Sequence, residues 1–349
     1  MNKRWKNRPP GSNWGEFGAD DQRGRMNLVT REKVLQGIAE VKEGLTFCLS
    51  LPLDYPGGQV LNPRRAPPRL AATSRNGTQF FCRPLAEYNA QATDVICDDQ
   101  VLMSLQYSTQ WDSFAHVGSR FDADGDGKAE LVFYNGFRAG EHVIPAPENK
   151  SSEPWARFEG TEARALGIQG LAEHGAQGRG VMIDLHHHLG RERRAVDFDL
   201  LMEILTKDGV EIEPGDMVCL YTGFADVLLE MKKKPDAKLL GETCSGLQGR
   251  DARLLQWISD SGLACLLADN YAVELIATAL TDPLPKTQPW LPLHEHCLFK
   301  NGIHLGEMFY FTELARWLRA HGRNRFLLTA PPLRLPGAVG SPATPVATV

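Results

Sequence analysis

The sequence predicts a mixed α/β fold in one domain, and three observations carry that prediction. Apolar runs of strand length dominate up to about residue 160, and beyond it helical and strand-like segments alternate. Neither an internal repeat nor a recognisable linker divides the 349 residues, a length that suits one large domain or two ordinary ones. Apolar content of 42% with 23% charged residues is that of a chain that buries a core.

The elements follow in order. Residues 1–29 read as a loop-like arm, rich in Trp, Gly, Asn and Arg, that packs by its aromatics. Thr30 is placed to cap a helix reaching to about residue 43, with Val34, Leu35, Ile38 and Val41 as its apolar stripe. A buried strand over 45–51 stops at Pro52, and the proline-bearing stretch 53–78 reads as a long loop. Strands are expected at about 79–83 and 94–105. Asp122, Asp124 and Asp126 begin like a calcium loop, but Phe133 stands where the twelfth-position Glu belongs, so a turn between two strands is the reading. Further on come a helix over 162–174, a strand over 180–185, a helix holding 200–205 and a strand over 216–221. Helices from about 225 and over 250–260 precede a strand over 263–268, a helix over 312–319 and a strand over 326–328. The Pro-, Gly- and Ala-rich tail, 331–349, is expected to be extended.

Composition narrows the function. A formal net charge of -5 lacks the basic footprint of a nucleic-acid binder. No run reaches the ~18 apolar residues that span a bilayer, and the basic N-terminus has no apolar core behind it. The seven cysteines are odd in number, lack a CxxC pair and sit mostly in apolar runs. They read as reduced, buried thiols of a cytoplasmic protein. Nucleophile-elbow, Walker, dinucleotide and HExxH motifs are absent, which leaves a metal or an isolated acid–base pair as the source of any catalysis.

The polar side chains gather in one stretch, Gln106-Tyr107-Ser108-Thr109-Gln110-Trp111-Asp112-Ser113-Phe114-Ala115-His116, after the apolar run 101–105. If the strand continues, Gln106, Ser108, Gln110 and Asp112 share a side, and His116 rejoins it after a turn. Asp and His converging with carbonyl-type donors is how a divalent metal is held. His186, His187 and His188 are consecutive and cannot share one face; a polar turn and a functional role are weighed equally for them. A second group, His294-Glu295-His296 with Glu307, supplies an imidazole and a carboxylate, a pair that is more often a structural hydrogen bond than a metal site.

The stretch 108–116 resembles the signature of the cyclase-type metal-dependent hydrolases, which include kynurenine formamidase, isatin hydrolase and trans-dienelactone hydrolase. That signature reads His-x-Gly-Thr-His-x-Asp-x-Pro-x-His. Residues 180–184, 215–218 with 222–224, 268–274, and His294 to Glu307 fall in the family's order. The resemblance implies a swivelling β/β/α-type domain with a mixed sheet, bound Zn or Mn, a small-molecule substrate and a homo-oligomer, with the arm as a candidate element for crossing to a partner. Carried over by position, Asp112 matches the Asp, His116 the last His, and His294 and Glu307 the distal pair. Gln106 and Gln110 stand in place of the two signature histidines, Ser108 replaces the Gly and Phe114 the Pro.

An amide oxygen is a weak ligand beside imidazole. The preferred arrangement has Asp112, His116, His294 and Glu307 on one metal, with Gln110 as a ligand or a hydrogen-bond partner of one. A site of lower affinity and a site without hydrolytic activity are the alternatives. His116, if free of the metal, and Glu307 are the catalytic candidates; Tyr107 and Trp111 flank the site as candidate walls for a ring-shaped substrate, with ordinary core packing weighed slightly above that role. The resemblance implies opening of an enol lactone, with an N-formyl or cyclic amide as the alternative and a non-catalytic ligand binder as a second.

Overall fold

The computed structural model describes residues 3–146, 160–276, 284 and 287–349. A nine-stranded mixed sheet organises them: Thr46–Cys48 (β1), Gln110–Asp112 (β2), Gln177–Asp184 (β3), Met217–Tyr221 (β4), Cys265–Ala268 (β5), His304–Glu307 (β6), Arg325–Thr329 (β7), Gly340–Pro342 (β8) and Val346–Thr348 (β9). Their spatial order is β1-β9-β7-β3-β4-β5-β6-β2-β8. Strands β3 to β6 run parallel, as the alternating second half of the chain predicts. The flanking pairs are antiparallel. Residues 343–345 alone separate β8 from β9, yet these lie near opposite ends of the order, so the sheet curls until its edges meet. There the Ala343 N–H donates to the Thr109 carbonyl and the Leu49 N–H to that of Pro345.

Alternation along the strands gives the sheet a core on each face, and a third, smaller apolar cluster gathers around Phe224 and Leu228. Four helices are Arg31–Ala39 (α1), Phe198–Asp208 (α2), Ala252–Asp260 (α3) and Thr312–Ala320 (α4). Val181, Ile183, Val218, Leu220 and Leu266 face the core into which α2 and α3 bring Leu201, Ile204, Leu254 and Ile258. Met182, Met217, Cys219, Tyr221 and Leu267 face the other, with Trp111, Phe309, Phe326 and Leu314 and Leu318 of α4. Each such side chain contributes about 1.5–3 kcal/mol on burial, which makes the two cores the main stabilising term.

Several expectations need correction. α1 begins as expected, with the Thr30 side chain accepting from the Lys33 N–H, but it ends at Ala39 and does not bury its predicted stripe. Leu35 and Ile38 are 62% and 48% exposed. The helix instead lies on its Gly37 face, where a Cβ would come within 2.8 Å of the Gly178 backbone, and Lys33 reaches the buried Asp216 at 3.1 Å. The strand expected over 94–105 breaks off at Leu102, because Asp99–Leu102 pairs with Arg69–Ala72 in a separate ribbon that leaves Val101 and Leu70 exposed. The stretch 53–78 therefore contains strands as well as loop. In 162–174 the helix is confined to Gln169–His174, because Glu162–Ala163 pairs with Val143–Ile144. The turn at 122–127 does join two antiparallel strands, Ser119–Phe121 and Glu130–Val132.

The termini carry more of the fold than their composition suggests. The tail is no appendage: it supplies β8 and β9 and buries Val349. The arm packs by its aromatics, on its own chain. Trp14 meets Trp5, Phe121 and Phe299 edge-on at 5.6, 6.1 and 5.3 Å, and its indole N–H donates to the Phe299 carbonyl. The seven cysteines are free, but Cys48, Cys82 and Cys97 are exposed and only the other four buried. None of the described helices is long and apolar enough to cross a membrane.

Candidate metal centre

Strand β2 lies antiparallel on β6, with Gln110 opposite Glu307 and Asp112 opposite Leu305. Gln110 and Asp112 therefore share one side of β2, and the Gln110 amide donates to Glu307 Oε2 at 3.2 Å. His294 arrives from the short helix Pro292–His294, which runs on into the π-helical turn Glu295–Lys300, a rare geometry often found at functional sites. Its Nε2 lies 3.1 Å from Glu307 Oε1 and its Nδ1 2.8 Å from Glu274 Oε1. One ligand atom each of Asp112, His294 and Glu307 lies within 4.8 Å of the others, and all three residues are buried.

The electrostatics are those of a site short of positive charge. Neither oxygen of Asp112 has a hydrogen-bond partner among the described residues. Burial first, and the neighbouring Glu307 carboxylate second, push its pKa up to about 7. Burial would hold His294 neutral, but its hydrogen bonds to Glu274 and Glu307 outweigh it and push that imidazole up to about 10. Glu307 is likewise opposed by burial, yet its bond to His294 holds it below the usual carboxylate range. A buried, unpartnered carboxylate costs several kcal/mol unless something positive compensates it. A divalent cation held by Asp112, His294 and Glu307 would meet that need, and one imidazole with two carboxylates is a donor set that fits such an ion.

The structure brings some predicted residues together and separates others. His116 sits at the edge of the cluster, its Nε2 3.8 Å from Asp112 Oδ1 and its Nδ1 3.4 Å from the Gln106 amide. Burial, with the cations His294 and Arg65, depresses its pKa to about 3, so its imidazole is neutral. Gln106 thus touches His116, whereas Gln110 touches Glu307. Tyr107 lines a cavity beside Gln106, its hydroxyl donating to the Gly58 carbonyl. Of the two readings of Trp111, core packing holds and the substrate wall is corrected: strand alternation turns it away from Asp112 into the second core, edge-on to Phe309, with its indole N–H donating to the Ala330 carbonyl.

The three consecutive histidines separate, as their spacing requires. His186 bonds the Gly190 carbonyl, His188 meets Asp208, and His187 meets Arg319. Glu274 is the residue missed as part of the site. Besides His294 Nδ1 it accepts from the Leu293 and His294 backbone N–H groups. It follows Ala272 and Val273, both with positive φ (81° and 57°), which for a β-branched valine is a genuine outlier and marks a constrained turn. Its place just after a buried strand, in Asp269-Asn270-Tyr271-Ala272-Val273-Glu274, was the available clue.

Comparison with known proteins agrees with this architecture. A crystal structure described as a novel cyclase is 28% identical, with a TM-score of 0.70 over 97% of this chain and 99% of that one. The isatin hydrolases A of Labrenzia aggregata and Ralstonia solanacearum are each 14% identical with TM-scores of 0.53, a likeness of fold. The first covers 90% of this chain and 97% of its own, the second 91% and 97%. No curated protein matches. The Cyclase family model matches residues 49–275, more than half the chain and the part that holds Asp112, His116 and Glu274. With the mixed curled sheet and the Asp112 signature in place, the chain belongs to the cyclase family.

Proposed function

We propose that the protein is a metal-dependent hydrolase acting on an amide bond, cyclic or N-acyl. The observation that carries it is the meeting of Asp112, His294 and Glu307 with both Asp112 oxygens unpartnered by hydrogen bonds among the described residues. Asp112, His294 and Glu307 would hold a divalent ion, Zn or Mn, which would supply Lewis acidity and make water a nucleophile near neutral pH. Holding it requires His294 Nε2 to give up its proton, while Glu274 keeps hold of Nδ1 and so fixes the ring. Neutral His116, steadied by Gln106, accepts a proton from the attacking water and returns it to the leaving nitrogen. Gln110 holds the free oxygen of Glu307, and Tyr107 offers an apolar wall.

The isatin hydrolases among the similar folds support an amide over the enol lactone that the signature suggested. Turnover of isatin, N-formylkynurenine and trans-dienelactone by protein purified without chelator tests the choice, alongside elemental analysis. Metal-dependent amide turnover is expected, and lactone turnover alone restores the earlier reading. A protein that carries no metal and gains no activity when given one is a non-catalytic relative. His116→Ala is expected to keep its metal and lose about 10²–10⁴ in kcat; metal loss in this variant would make His116 a ligand.

A further inference from the structure

No residue from 63 to 106 is buried, so the ribbon within this stretch stands outside the cores and is held by strand pairing rather than by burial. Its inner part pairs Arg69–Ala72 with Asp99–Leu102, and its outer part pairs Arg83–Pro84 with Val95–Ile96. Between the two, the Asp98 N–H donates to the Phe80 carbonyl, while Arg83 stands opposite Ile96. Phe81 and Cys82 therefore face a single residue, Cys97. That is a β-bulge, a device that re-aims a side chain. Cys82 is held there at a φ of 52°, in the left-handed region that a non-glycine residue seldom adopts.

The re-aimed thiol meets a second one. The Cys82 and Cys97 sulfurs lie 3.7 Å apart, with the Cys97 S–H donating to Cys82, and the Cys82 N–H donates to Cys97 Sγ at 3.0 Å. Both residues are exposed, whereas Cys219, Cys244, Cys265 and Cys297 are buried. Cys48, the remaining exposed cysteine, meets the Ser50 hydroxyl instead, at 3.5 Å. A metal reading of the pair fails on ligand count. Among the described residues no group of three His, Cys, Asp or Glu ligand atoms includes Cys82 or Cys97, and a structural zinc takes about four. Two exposed thiols in contact are the arrangement that thiol–disulfide exchange requires.

We propose that Cys82 and Cys97 are a redox modification site: a low-molecular-weight disulfide, such as glutathione disulfide, converts them to an intramolecular disulfide that clamps the outer hairpin onto the ribbon. One cysteine, its proton lost to solvent, attacks a sulfur of glutathione disulfide, forms a mixed disulfide and releases one glutathione. The other, likewise deprotonated, attacks the protein-bound sulfur of that mixed disulfide and releases the second. Two protein thiols are thus oxidised to one S–S bond, and one glutathione disulfide is reduced to two glutathiones. Bonding needs the sulfurs at about 2.05 Å, an approach that rotation of two exposed side chains supplies. The bond closes the loop 82–97 in a segment with no buried residue, where a crosslink restricts motion most. Excess reduced glutathione drives the exchange back. None of this depends on the hydrolase reading.

Peptide mass mapping tests the pair, on reduced, desalted protein given glutathione disulfide and quenched in acid. The wild type is expected to yield peptides joined through Cys82 and Cys97 and free of glutathione, at least about tenfold faster than glutathione adds to Cys48. Cys97→Ser, which removes the resolving thiol, is expected to retain glutathione on Cys82, and Cys48→Ser to crosslink as the wild type does. Hydrogen exchange of the amides over 80–98 is expected to slow by at least about tenfold on oxidation and to recover in excess reduced glutathione. A circular-dichroism melt verifies that the variants fold, and the wild-type measurements decide the matter if one does not. Wild type that retains glutathione on Cys82 or Cys97 without crosslinking overturns the pair. Unchanged exchange in the oxidised protein overturns the clamp, and a crosslink that excess reduced glutathione leaves intact overturns its reversibility.

Discussion

Asp112 shows how a single residue reveals what the site is for. Its buried carboxylate has no hydrogen bond among the described residues, and burial with Glu307 nearby raises its pKa to about 7. The folded pKa lies above the unfolded one, so ionised Asp112 costs stability as the pH rises from about 4 toward 7. Asp112→Asn is therefore expected to raise the Tm of chelator-treated protein at pH 8 and to abolish any rise in Tm when Zn or Mn is added. A lower Tm in the metal-free variant would contradict the account of Asp112 as an uncompensated charge. Glu274 acts one step away, through His294. Glu274→Gln is expected to weaken metal affinity by about 10–100-fold, read by competition with a chelating dye, with activity returning in excess metal. A purely structural Glu274 would lower stability without moving the dye titration. Of the three residues proposed to hold a metal, Asp112 was legible in the signature, and His294 and Glu307 in the distal segment of the same resemblance. Glu274 was not singled out: its place after a buried strand was a clue, but its residue type alone does not mark it as the partner of His294.

Among the elements, helix α1 was right in its cap and wrong in its face. Leu35 and Ile38 look like a buried stripe by period, yet the helix is seated by Gly37 against the Gly178 backbone and by Lys33 on Asp216. Close backbone approach, with a buried cation satisfied by Asp216, settled which side faces the sheet. Gly37→Ala should destabilise by about 1–2 kcal/mol in urea unfolding, since the added Cβ has nowhere to go and the gain in helix propensity offsets it only in part. A neutral or stabilising outcome would show that α1 lifts off β3 freely. Strand β2 illustrates the same limit. Alternation correctly placed Gln110 and Asp112 together, but it equally sent Trp111 into the core, where Trp111→Ala is expected to cost about 3–5 kcal/mol. Unchanged stability in that variant would reopen Trp111 as a substrate contact.

For the molecule as a whole, the tail and the buried histidines set the terms. Removal of residues 340–349 deletes β8 and β9, leaving β2 without one neighbour and β1 without any strand partner. The truncated chain is expected to lose its cooperative thermal transition, and a retained one would show that sheet closure is dispensable. Buried His304 stacks on Phe114 and bonds the Asp112 carbonyl, and burial depresses its pKa to about 4. Its contribution is thus fully present above the unfolded pKa near 6.5 and is lost as the pH falls toward 4, because only the unfolded chain takes up the proton there. The loss of unfolding free energy between pH 7 and 4.5 is expected to be about 2–3 kcal/mol smaller in His304→Gln than in the wild type. An equal loss in both would mean that His304 is not held neutral.

From composition and pattern came the mixed α/β class and most strands and helices of the second half, and from a resemblance to a known signature came the family, through Asp112, His116, His294 and Glu307. Those are local properties: period two or 3.6, a cap, a short run of residue types in order. Tertiary structure alone decided that the tail closes the sheet, that Trp111 is core, that Gln106 and Gln110 serve different partners, and that Glu274 stands against His294. Each of these depends on which segments, far apart in sequence, come together when the two cores are buried. The chain carries that information as the sum of many weak burial terms, and no single motif spells it out.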